Sequence, residues 1–318
     1  MPLVRELSNS KSESSLKAGP KVSIIVLNWN GYEVTKDCLT SISKVDYPNY
    51  EVVLVDNGST DGSAEKLARE YPWITTICND RNCGFTGGNN IGMRRALEGG
   101  TEYVLLLNND TTVKPDFLSK LIEVAEADDC IAILNPKIYY FDQPKRIWYA
   151  GGSFSMWKGL ASHRGHRQLD KALFDTTREV SFITGCAFLI KAPILHRVGL
   201  LDDQLFYTYE DTDWSIRVRR LGYKAVYVPD AVIWHKESYD TKRNAGKAFR
   251  DYYNVRNSIL IARKHARAYH WPSFLICLAL LLGYRTAGYS LRAERDRVRA
   301  LYKGLRDGFA TQLAEESR

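Results

Sequence analysis

The sequence predicts an α/β protein built on a mostly parallel sheet with helices on both faces. Three features carry this prediction: continuous apolar runs rich in β-branched residues, amphipathic segments between them, and polar turns directly after the runs. A strand of a covered parallel sheet is buried on both faces, and such a strand produces a continuous apolar run. Ligands of these sheets bind at the carboxyl ends of the strands. We therefore expect the polar turns to share one cleft.

The amino-terminal half alternates between predicted strands and helices. Strands are predicted where aliphatic and β-branched residues follow one another, at 22–27, 51–56, 74–78 and 103–107. Helices are predicted where apolar residues recur at helical spacing, at 32–43, at 63–71, and from the Gly-rich stretch 83–90 to Gly99–Gly100. Beyond residue 130 the pattern is less regular. It predicts a strand at 180–190, a helix at 211–221, strands at 225–228 and 232–234, and largely helical structure over 243–314.

The composition is that of a globular protein with an uneven charge distribution. The 318 residues are 45% hydrophobic and 25% charged, which suits one large domain or two modest ones. Residues 241–318 hold 16 Lys and Arg against 6 Asp and Glu, whereas the preceding residues hold 28 against 31. The net charge of +7 therefore comes from a basic carboxyl-terminal region. Such a region indicates an anionic partner, either nucleic acid or an anionic lipid surface.

Three parts are predicted along the chain. Residues 1–20 are polar and lack the apolar segment of a secretory signal, so we expect a disordered leader. Residues 21–240 form the predicted α/β domain, and residues 241–318 form a helical basic region. The six cysteines show no CxxC spacing, which excludes zinc-ribbon and thioredoxin-like proteins and favours a reducing compartment.

The longest apolar run, residues 271–284, has basic residues on both sides. It is shorter than the roughly 18 residues of a membrane-spanning helix, so we expect a soluble or peripheral protein. An apolar segment with basic flanks is typical of a helix at the surface of an anionic membrane. The alternatives are a helical hairpin packed on the α/β domain and a homodimer contact.

Polar turns follow two of the predicted strands. Asn108, Asn109 and Asp110 come directly after the strand at 103–107, where a carboxylate can hold a divalent cation. An ordinary Asn/Asp turn explains the same tripeptide. Asp56 ends the strand at 51–56 and would accept hydrogen bonds from a base or ribose, or else form an Asx turn or a helix cap.

The Gly-rich stretch from Gly84 to Asn90 resembles a phosphate-binding loop at a helix N-terminus. It is neither GxGxxG nor a P-loop with its Lys and Ser/Thr, which excludes dinucleotide-binding folds and P-loop NTPases. A Gly-rich helix entry without a ligand is the alternative.

Three acids lie within four positions at the start of the helix predicted at 211–221. The helix dipole alone explains acids there. Glu210 and Asp211 also crowd each other, and crowding raises the pKa of one carboxyl in a pair, as a general base requires. His235 follows a predicted strand and is by itself typical of a structural residue. Close to Asp110 it would complete a Mn or Mg site.

In chain order these motifs resemble the family 2 glycosyltransferases with the GT-A fold, and most of all their bacterial rhamnosyltransferase-like branch. The resemblance covers about residues 20–240 and rests on the ordered set 22–30, 56–62, 84–90, 108–110, 184–185, 210–213 and His235. It implies a Rossmann-like, mostly parallel GT-A sheet, extended here by the helical basic region. It also implies inverting transfer of a sugar from a nucleotide diphosphate to an acceptor hydroxyl.

The resemblance implies a role for each matching residue. Asp211 is the expected general base, with Glu210 beside it, and Asp110 and His235 are the expected ligands of a divalent metal, Mg or Mn. The expected nucleotide-sugar site comprises Asn28, Asn30, Asp56, Gly84, Gly88, Asn89, Asn108 and Asn109. Contacts to the sugar or the acceptor are expected from Thr184, Gly185 and Trp214.

One departure from the family pattern concerns the metal site. Asn108 stands where the family's DXD motif has its first Asp, so the site carries less negative charge. The loss of charge weakens the expected metal affinity or makes the metal dispensable. Asn-Asn-Asp is nevertheless a variant of the rhamnosyltransferase-like branch, so we expect an active enzyme.

The resemblance also suggests substrates and a location. The first expected donor is dTDP-L-rhamnose, ahead of UDP-hexoses, and the expected acceptor is a lipid-linked or polysaccharide glycan of cell-envelope assembly. We expect a cytoplasmic enzyme, peripheral at the inner face of the cell membrane, and a homo-oligomer is compatible with the sequence.

Other functions are compatible with the same residues. They are a soluble UDP-hexose transferase that extends a polysaccharide or a protein glycan, and a non-catalytic protein that binds a nucleotide sugar or nucleic acid. No nucleic acid is expected as a partner, because the sequence contains no recognisable nucleic-acid-binding module and the body is slightly acidic.

Overall fold

The computed structural model describes residues 19–237 and 246–313. The predicted leader, residues 1–20, lies outside the described residues except for its last two positions. The predicted domain boundary at residue 240 also lies outside them.

Twelve strands are present in the described part of the chain. They are β1 (Val22–Asn28), β2 (Tyr50–Asp56), β3 (Thr75–Cys78), β4 (Tyr103–Asn108), β5 (Thr111–Val113), β6 (Ile131–Tyr140), β7 (Gln143–Tyr149), β8 (Gly152–Ser155), β9 (Leu160–His163), β10 (Arg178–Val180), β11 (Ala187–Lys191) and β12 (Lys224–His235).

Nine α-helices accompany these strands in the described ranges. They are α1 (Tyr32–Ile42), α2 (Ser63–Glu70), α3 (Gly84–Glu98), α4 (Phe117–Glu126), α5 (Ala192–Val198), α6 (Glu210–Arg220), α7 (Gly246–His265), α8 (Trp271–Leu291) and α9 (Arg295–Ala310).

A ten-stranded sheet forms the centre of the molecule, in the order β10-β12-β6-β11-β4-β1-β2-β3 with β5 and β7 at its sides. Strands β3, β2, β1 and β4 are parallel neighbours, and β6 is parallel to β12. Strand β11 joins the two parallel groups by pairing antiparallel with β4 and β6. Six of the seven residues of β1 are buried, as expected of a strand covered on both faces. The predicted mixed α/β class with a mostly parallel central sheet is confirmed.

The strand predicted at 180–190 is wrong in its middle. The structure has β10 and β11 at its two ends, and residues 181–186 leave the sheet between them. Asn135 of β6 holds this loop, because its Oδ1 accepts a hydrogen bond from Thr184 N (2.9 Å) and its Nδ2 donates to Ala187 O (2.5 Å). The side chain of Asn135 thus supplies hydrogen bonds that a neighbouring strand would otherwise supply. The loop that it holds brings Thr184 and Gly185 to the cleft.

The two strands predicted at 225–228 and 232–234 are one strand, β12. Its pairing with β6 shifts register between Val228 and Val232. Pro229 lies within this shift and has no N–H to donate to a neighbouring strand, which explains the local irregularity. The irregularity leaves His235 at the carboxyl end of β12, paired with Thr111 of β5.

The carboxyl-terminal helices pack on one another around a small apolar core. Val255 and Ile259 of α7, Phe274 and Leu278 of α8, and Leu301 of α9 belong to this core. Helix α8 is longer than the apolar run at 271–284, because it continues to Leu291. Residues 268–291 are long and apolar enough, by length and composition, to cross a membrane, and 22% of their most apolar window is buried.

Candidate active site

A cleft of about 520 Å³ lies at the carboxyl ends of β1, β2 and β4. The turns after these three strands contribute Trp29, Asn57 and the segment from Asn108 to Asp110 to its lining. The predicted convergence of the polar turns is therefore confirmed. Residues from both halves of the chain complete the lining, including Thr184, Gly185, Glu210, Asp211 and His235.

Asp110 and His235 meet at one side of the cleft. The Nε2 atom of His235 lies 3.1 Å from the Oδ1 atom of Asp110, and both side chains are less than a tenth exposed. The pairing of β5 with β12 brings them together, because β5 follows Asp110 directly and its first residue is the register partner of His235. A carboxylate oxygen and an imidazole nitrogen are suitable ligands for Mn²⁺, and Mg²⁺ accepts the carboxylate.

The number of protein ligands limits what this pair can hold. In the described parts of the chain, no group of three or more His, Cys, Asp or Glu side chains is placed to hold a metal. An ion at Asp110 and His235 would therefore take its remaining ligands from waters and from the phosphates of a substrate. Magnesium sites in phosphate-processing enzymes commonly have this composition.

Glu210 and Asp211 are the first residues of α6, and Asp211 contacts the loop 181–186. The Oδ2 atom of Asp211 accepts a hydrogen bond from Gly185 N (2.9 Å), and its Oδ1 accepts one from Thr212 N (2.7 Å). Burial raises the pKa of Asp211 to about 6, against the stabilising effect of these N–H groups. Burial, together with the charge of Asp211, raises the pKa of Glu210 well above its usual range. The N–H groups of Gly185 and Thr212 favour the ionised form of Asp211 over that of Glu210.

The turn before α6 has a strained backbone. Phe206, Thr208 and Tyr209 have φ values of 58°, 63° and 68°, in the left-handed region that non-glycine residues rarely adopt. Each such residue costs about 1–3 kcal/mol and persists only where surrounding contacts hold it. One of these contacts is with α3, because Phe206 O accepts a hydrogen bond from Phe85 N (2.7 Å).

Asn257 of α7 supplies the other contacts, and sequence reasoning missed it. Its Nδ2 atom lies within hydrogen-bond distance of three carbonyl oxygens of the turn, those of Leu205 (2.7 Å), Tyr207 (2.7 Å) and Thr208 (3.0 Å). Asn257 is fully buried. Its position in a region that matched no motif gave no signal of this role. The helical region thus holds the turn that presents Glu210 and Asp211.

Asp213, the third acid of the cluster, has a structural role. It is fully buried and is paired with Arg217 (2.7 Å), Lys264 (2.8 Å) and His265 (2.7 Å). Burial opposes ionisation, but these three groups hold the pKa of Asp213 well below its usual range. The network joins α6 to α7.

The predicted base-binding residues form a network behind the cleft. Asn28 and Asp56 are register partners at the ends of β1 and β2. Asn28 Nδ2 donates to Asp56 Oδ1 (2.7 Å), and Ser59 N donates to Asp56 Oδ2 (2.9 Å). Asp56 is 3% exposed and does not line the cleft. Asn30 lies beyond β1, where its Oδ1 accepts a hydrogen bond from Thr60 N (2.7 Å).

The Gly-rich stretch divides between the cleft and the core. Gly84 lines the cleft with a φ of 76°. Gly88 lies against β1, because an added Cβ would be 2.4 Å from Leu27 Cδ1. Asn89 is buried and donates to Phe85 O within α3 (2.8 Å). Gly88 therefore allows α3 to approach the sheet closely.

The remaining predicted residues also separate into two groups. Asn108 lines the cleft, and so does Asn109, whose Nδ2 donates to Thr35 Oγ1 (2.9 Å). Trp214 does not line it, which corrects the expectation that this ring contacts a sugar. Its ring is fully buried near Phe188, and its Nε1 donates to Gly199 O (3.0 Å). Residues three apart share a side of a helix, so the packing of Trp214 on Phe188 and its bond to Gly199 O, and not helical spacing, bury this ring.

Comparison with known proteins supports the resemblance. Residues 20–254 match the family described as glycosyltransferase like family 2. The chain is 27% identical over 256 residues to the dTDP-rhamnosyl transferase RfbF of Shigella flexneri, covering 79% of each chain. It is 24% identical over 225 residues to the N-acetylglucosaminyl-diphospho-decaprenol L-rhamnosyltransferase of Mycobacterium tuberculosis, covering 65% of this chain and 73% of that protein.

A solved structure supports the fold. The crystal structure of GalNAc-T7 with UDP, GalNAc and Mn²⁺ matches with a TM-score of 0.61 at 18% identity, over 77% of this chain and 48% of that one. At this identity the match concerns the fold alone. The family match spans the sheet, most of the residues that line the cleft, and the first residues of α7. The chain therefore belongs to glycosyltransferase family 2 and is a glycosyltransferase with the GT-A fold, similar to bacterial rhamnosyltransferases.

Proposed function

We propose that the enzyme transfers a sugar, with inversion, from a nucleotide diphosphate to an acceptor hydroxyl, and that Asp211 is the general base. The first candidate donor is dTDP-L-rhamnose, which the names of similar proteins support. The candidate acceptor is a lipid-linked or polysaccharide glycan of the cell envelope. The observation that carries the proposal is the presence, in one cleft, of Asp211 and the pair formed by Asp110 and His235.

Asp211 is suited to removing a proton from an acceptor hydroxyl. Its pKa of about 6 leaves it ionised at neutral pH while keeping it a stronger base than an ordinary aspartate. The Gly185 and Thr212 N–H groups fix the direction of the carboxylate. A single displacement needs no covalent nucleophile, so this one base is sufficient for an inverting reaction.

Asp110 and His235 would hold a divalent cation, Mg²⁺ or Mn²⁺, beside the donor diphosphate. Such an ion, when bound, stabilises the negative charge on the departing nucleoside diphosphate. Asn109 anchors the turn through Thr35, whose Oγ1 in turn donates to Asn28 Oδ1 (2.8 Å). The network behind the cleft therefore positions Asp110, and through it the proposed cation.

A donor screen tests the proposal. Release of nucleoside diphosphate is measured for dTDP-L-rhamnose, UDP-glucose, UDP-N-acetylglucosamine and GDP-mannose, with Mn²⁺, Mg²⁺ or a chelator. We expect dTDP-L-rhamnose to be used fastest and the chelator to reduce its turnover. Faster use of a UDP-hexose would support the soluble UDP-hexose transferase instead, and no turnover of any donor would oppose the proposal.

The proposed metal site has a test of its own. Asp110→Asn should weaken Mn²⁺ binding. Electron paramagnetic resonance measures the binding in the presence of dTDP. Asp230→Asn is the matched control, because Asp230 is an exposed carboxylate of β12. Equal Mn²⁺ binding by the two variants would remove Asp110 from this role.

A further inference from the structure

Helix α8 supplies part of the cleft wall. Leu281 and Arg285, one helical turn apart, line the cleft together with Leu160 and Ala161 of β9. The hairpin of β8 and β9 rests on the start of α8, because Ser273 Oγ donates to Trp157 O (2.9 Å) and an added Cβ at Gly159 would meet the ring of Phe274. The wall is therefore fixed by packing.

Arg285 lines the cleft and has unused hydrogen-bonding capacity. Its Nη1 atom lies 3.6 Å from Asp251 Oδ1, and among the described residues this buried nitrogen has no hydrogen-bond partner. Asp251 does not depend on Arg285, since it accepts hydrogen bonds from Arg297 Nε (2.6 Å) and Tyr289 OH (3.0 Å). The side chain of Arg285 is 28% exposed, and its guanidinium can bind an anion in the cleft.

Arg285 lies close to the residues that lead into Asp211. Its charge acts on Tyr209: burial raises the pKa of Tyr209 to about 12, and Arg285 opposes that rise. Tyr209 directly precedes Glu210 and Asp211, and its hydroxyl donates to Gly159 O (3.0 Å) in the β8–β9 turn. The acceptor must present its hydroxyl to Asp211, so we assign a group that binds at Arg285 to the acceptor.

An exposed apolar stripe runs along α8 beside Leu281 and Arg285. Ile276, Leu280 and Tyr284 are 61%, 68% and 81% exposed, and Leu280 and Tyr284 directly precede Leu281 and Arg285. The opposite side of the helix is buried in the carboxyl-terminal core. A cation within the cleft and an apolar stripe at its mouth together suit a ligand with a phosphate head and a hydrocarbon chain.

We propose that α8 forms the acceptor subsite of the enzyme and that it binds a lipid phosphate. Arg285 binds the phosphate, and the stripe of Ile276, Leu280 and Tyr284 packs against the first part of the hydrocarbon chain. The proposal rests on the proposed function, because it needs Asp211 as the base that faces the acceptor. It selects a lipid-linked acceptor over a soluble polysaccharide.

Binding of small amphiphiles tests the proposal without any transfer reaction. Farnesyl diphosphate and farnesol are titrated below their aggregation limits, and binding is followed by isothermal calorimetry. We expect Arg285→Gln to weaken farnesyl diphosphate binding by about tenfold or more, as loss of a charge-assisted contact does, and to leave farnesol binding unchanged. Arg299→Gln, which removes an exposed arginine of α9, is the matched control and should change neither.

Further variants separate the possible binding places. The double variant Leu280→Ser, Tyr284→Ser should weaken the binding of both farnesyl diphosphate and farnesol. Asp110→Asn should leave farnesyl diphosphate binding intact, because the lipid phosphate and the donor diphosphate bind at different ends of the cleft. The proposal is overturned if Arg285→Gln and Arg299→Gln bind farnesyl diphosphate equally, or if the stripe affects only pelleting with phospholipid vesicles. Neither result depends on which nucleotide sugar is the donor, so failure here is distinct from failure of the donor screen.

Discussion

At the scale of single residues, two adjacent carboxyl groups have different surroundings. Asp211 accepts hydrogen bonds from two backbone N–H groups, which stabilise its anion. Glu210 is buried, and its Oε2 has no hydrogen-bond partner among the described residues. These surroundings favour the anion at Asp211 over the anion at Glu210, which is why we propose Asp211 as the member that takes the acceptor proton.

Substitution of each carboxyl separately tests this assignment. Asp211→Asn should lower kcat by roughly 10²–10⁴-fold, the usual contribution of a general base, with little change in donor KM. Glu210→Gln keeps the shape of the side chain and removes a group that is not the proposed base, so its kcat should stay within about tenfold of the wild type. Steady-state kinetics with dTDP-L-rhamnose measures both, and the reverse order of effects would assign the base to Glu210.

The pKa of Asp211 also predicts how activity depends on pH. An ionised Asp211 is required to take the proton, so kcat/KM should fall as the pH drops through about 6. An aspartate with its usual pKa of about 3.9 would keep full activity to pH 5. A profile that is flat between pH 5 and 7 would contradict the raised pKa.

Residue types predicted which segments line the cleft better than they predicted which side chains point into it. Asp110, Asp211 and His235 lie in the cleft because strand and helix ends placed them there. Trp214 and Asn89 matched the expected pattern but point into the core. Trp214 lies three positions beyond Asp211, a spacing that places both on one side of a helix, and only the packing of α6 on its neighbours decides which of the two side chains reaches the cleft.

At the scale of elements, the turn 205–209 connects three parts of the fold. It accepts hydrogen bonds from the start of α3, is held by Asn257 of α7, and leads into α6. Three left-handed residues make this turn costly without its partners. Asn257 is thus a positioning residue for Asp211.

Variants of Asn257 test this role. Asn257→Ala should lower kcat by roughly tenfold or more with a small change in donor KM, because the carbonyls of Leu205, Tyr207 and Thr208 lose the amide that holds them together. Asn257→Asp keeps the volume but sets a carboxylate against these carbonyls, so its kcat should be lower than that of the Ala variant. Ser258→Ala is the control, as Ser258 bonds only within its own helix in the described structure. Near-normal kcat for Asn257→Asp would show that packing alone matters.

Local periodicity predicted most elements of the parallel half. The strands and helices up to β4 follow the predicted order closely, since each is long and uniform in pattern. The errors occurred where long-range contacts decide the structure. Asn135 draws residues 181–186 out of the sheet from a strand 49 residues away, and no local pattern reports that contact.

At the scale of the whole molecule, the basic excess of the carboxyl-terminal region has two uses. Part of it is structural: Lys264 pairs with Asp213 and Asp202, Arg297 pairs with Asp251, and Arg263 donates to Thr311 O. Other arginines, such as Arg299, are exposed. The sequence predicted the basic excess but could not separate the paired basic residues from the exposed ones. That separation depends on which side chains face α6 and which face solvent.

Membrane association is the prediction that belongs to this scale. The exposed stripe of α8 with its basic surroundings should carry the enzyme to vesicles containing anionic lipid. Ile276→Ser combined with Leu280→Ser should reduce the pelleted fraction severalfold, and high salt should reduce it for the wild type. The full chain is used, because truncation before α7 would remove Asn257 and disturb the turn 205–209. Equal pelleting of wild type and variant would place the membrane contact elsewhere or exclude it.

The configuration of the product sugar tests the central claim most directly. The enzyme is incubated with dTDP-L-rhamnose, Mn²⁺ and a farnesyl-diphosphate-linked N-acetylglucosamine acceptor, and the anomeric centre of the product is assigned by nuclear magnetic resonance. A single displacement assisted by Asp211 predicts a product of the opposite anomeric configuration to the donor, and its loss in Asp211→Asn. A product that retains the donor configuration would contradict the claim.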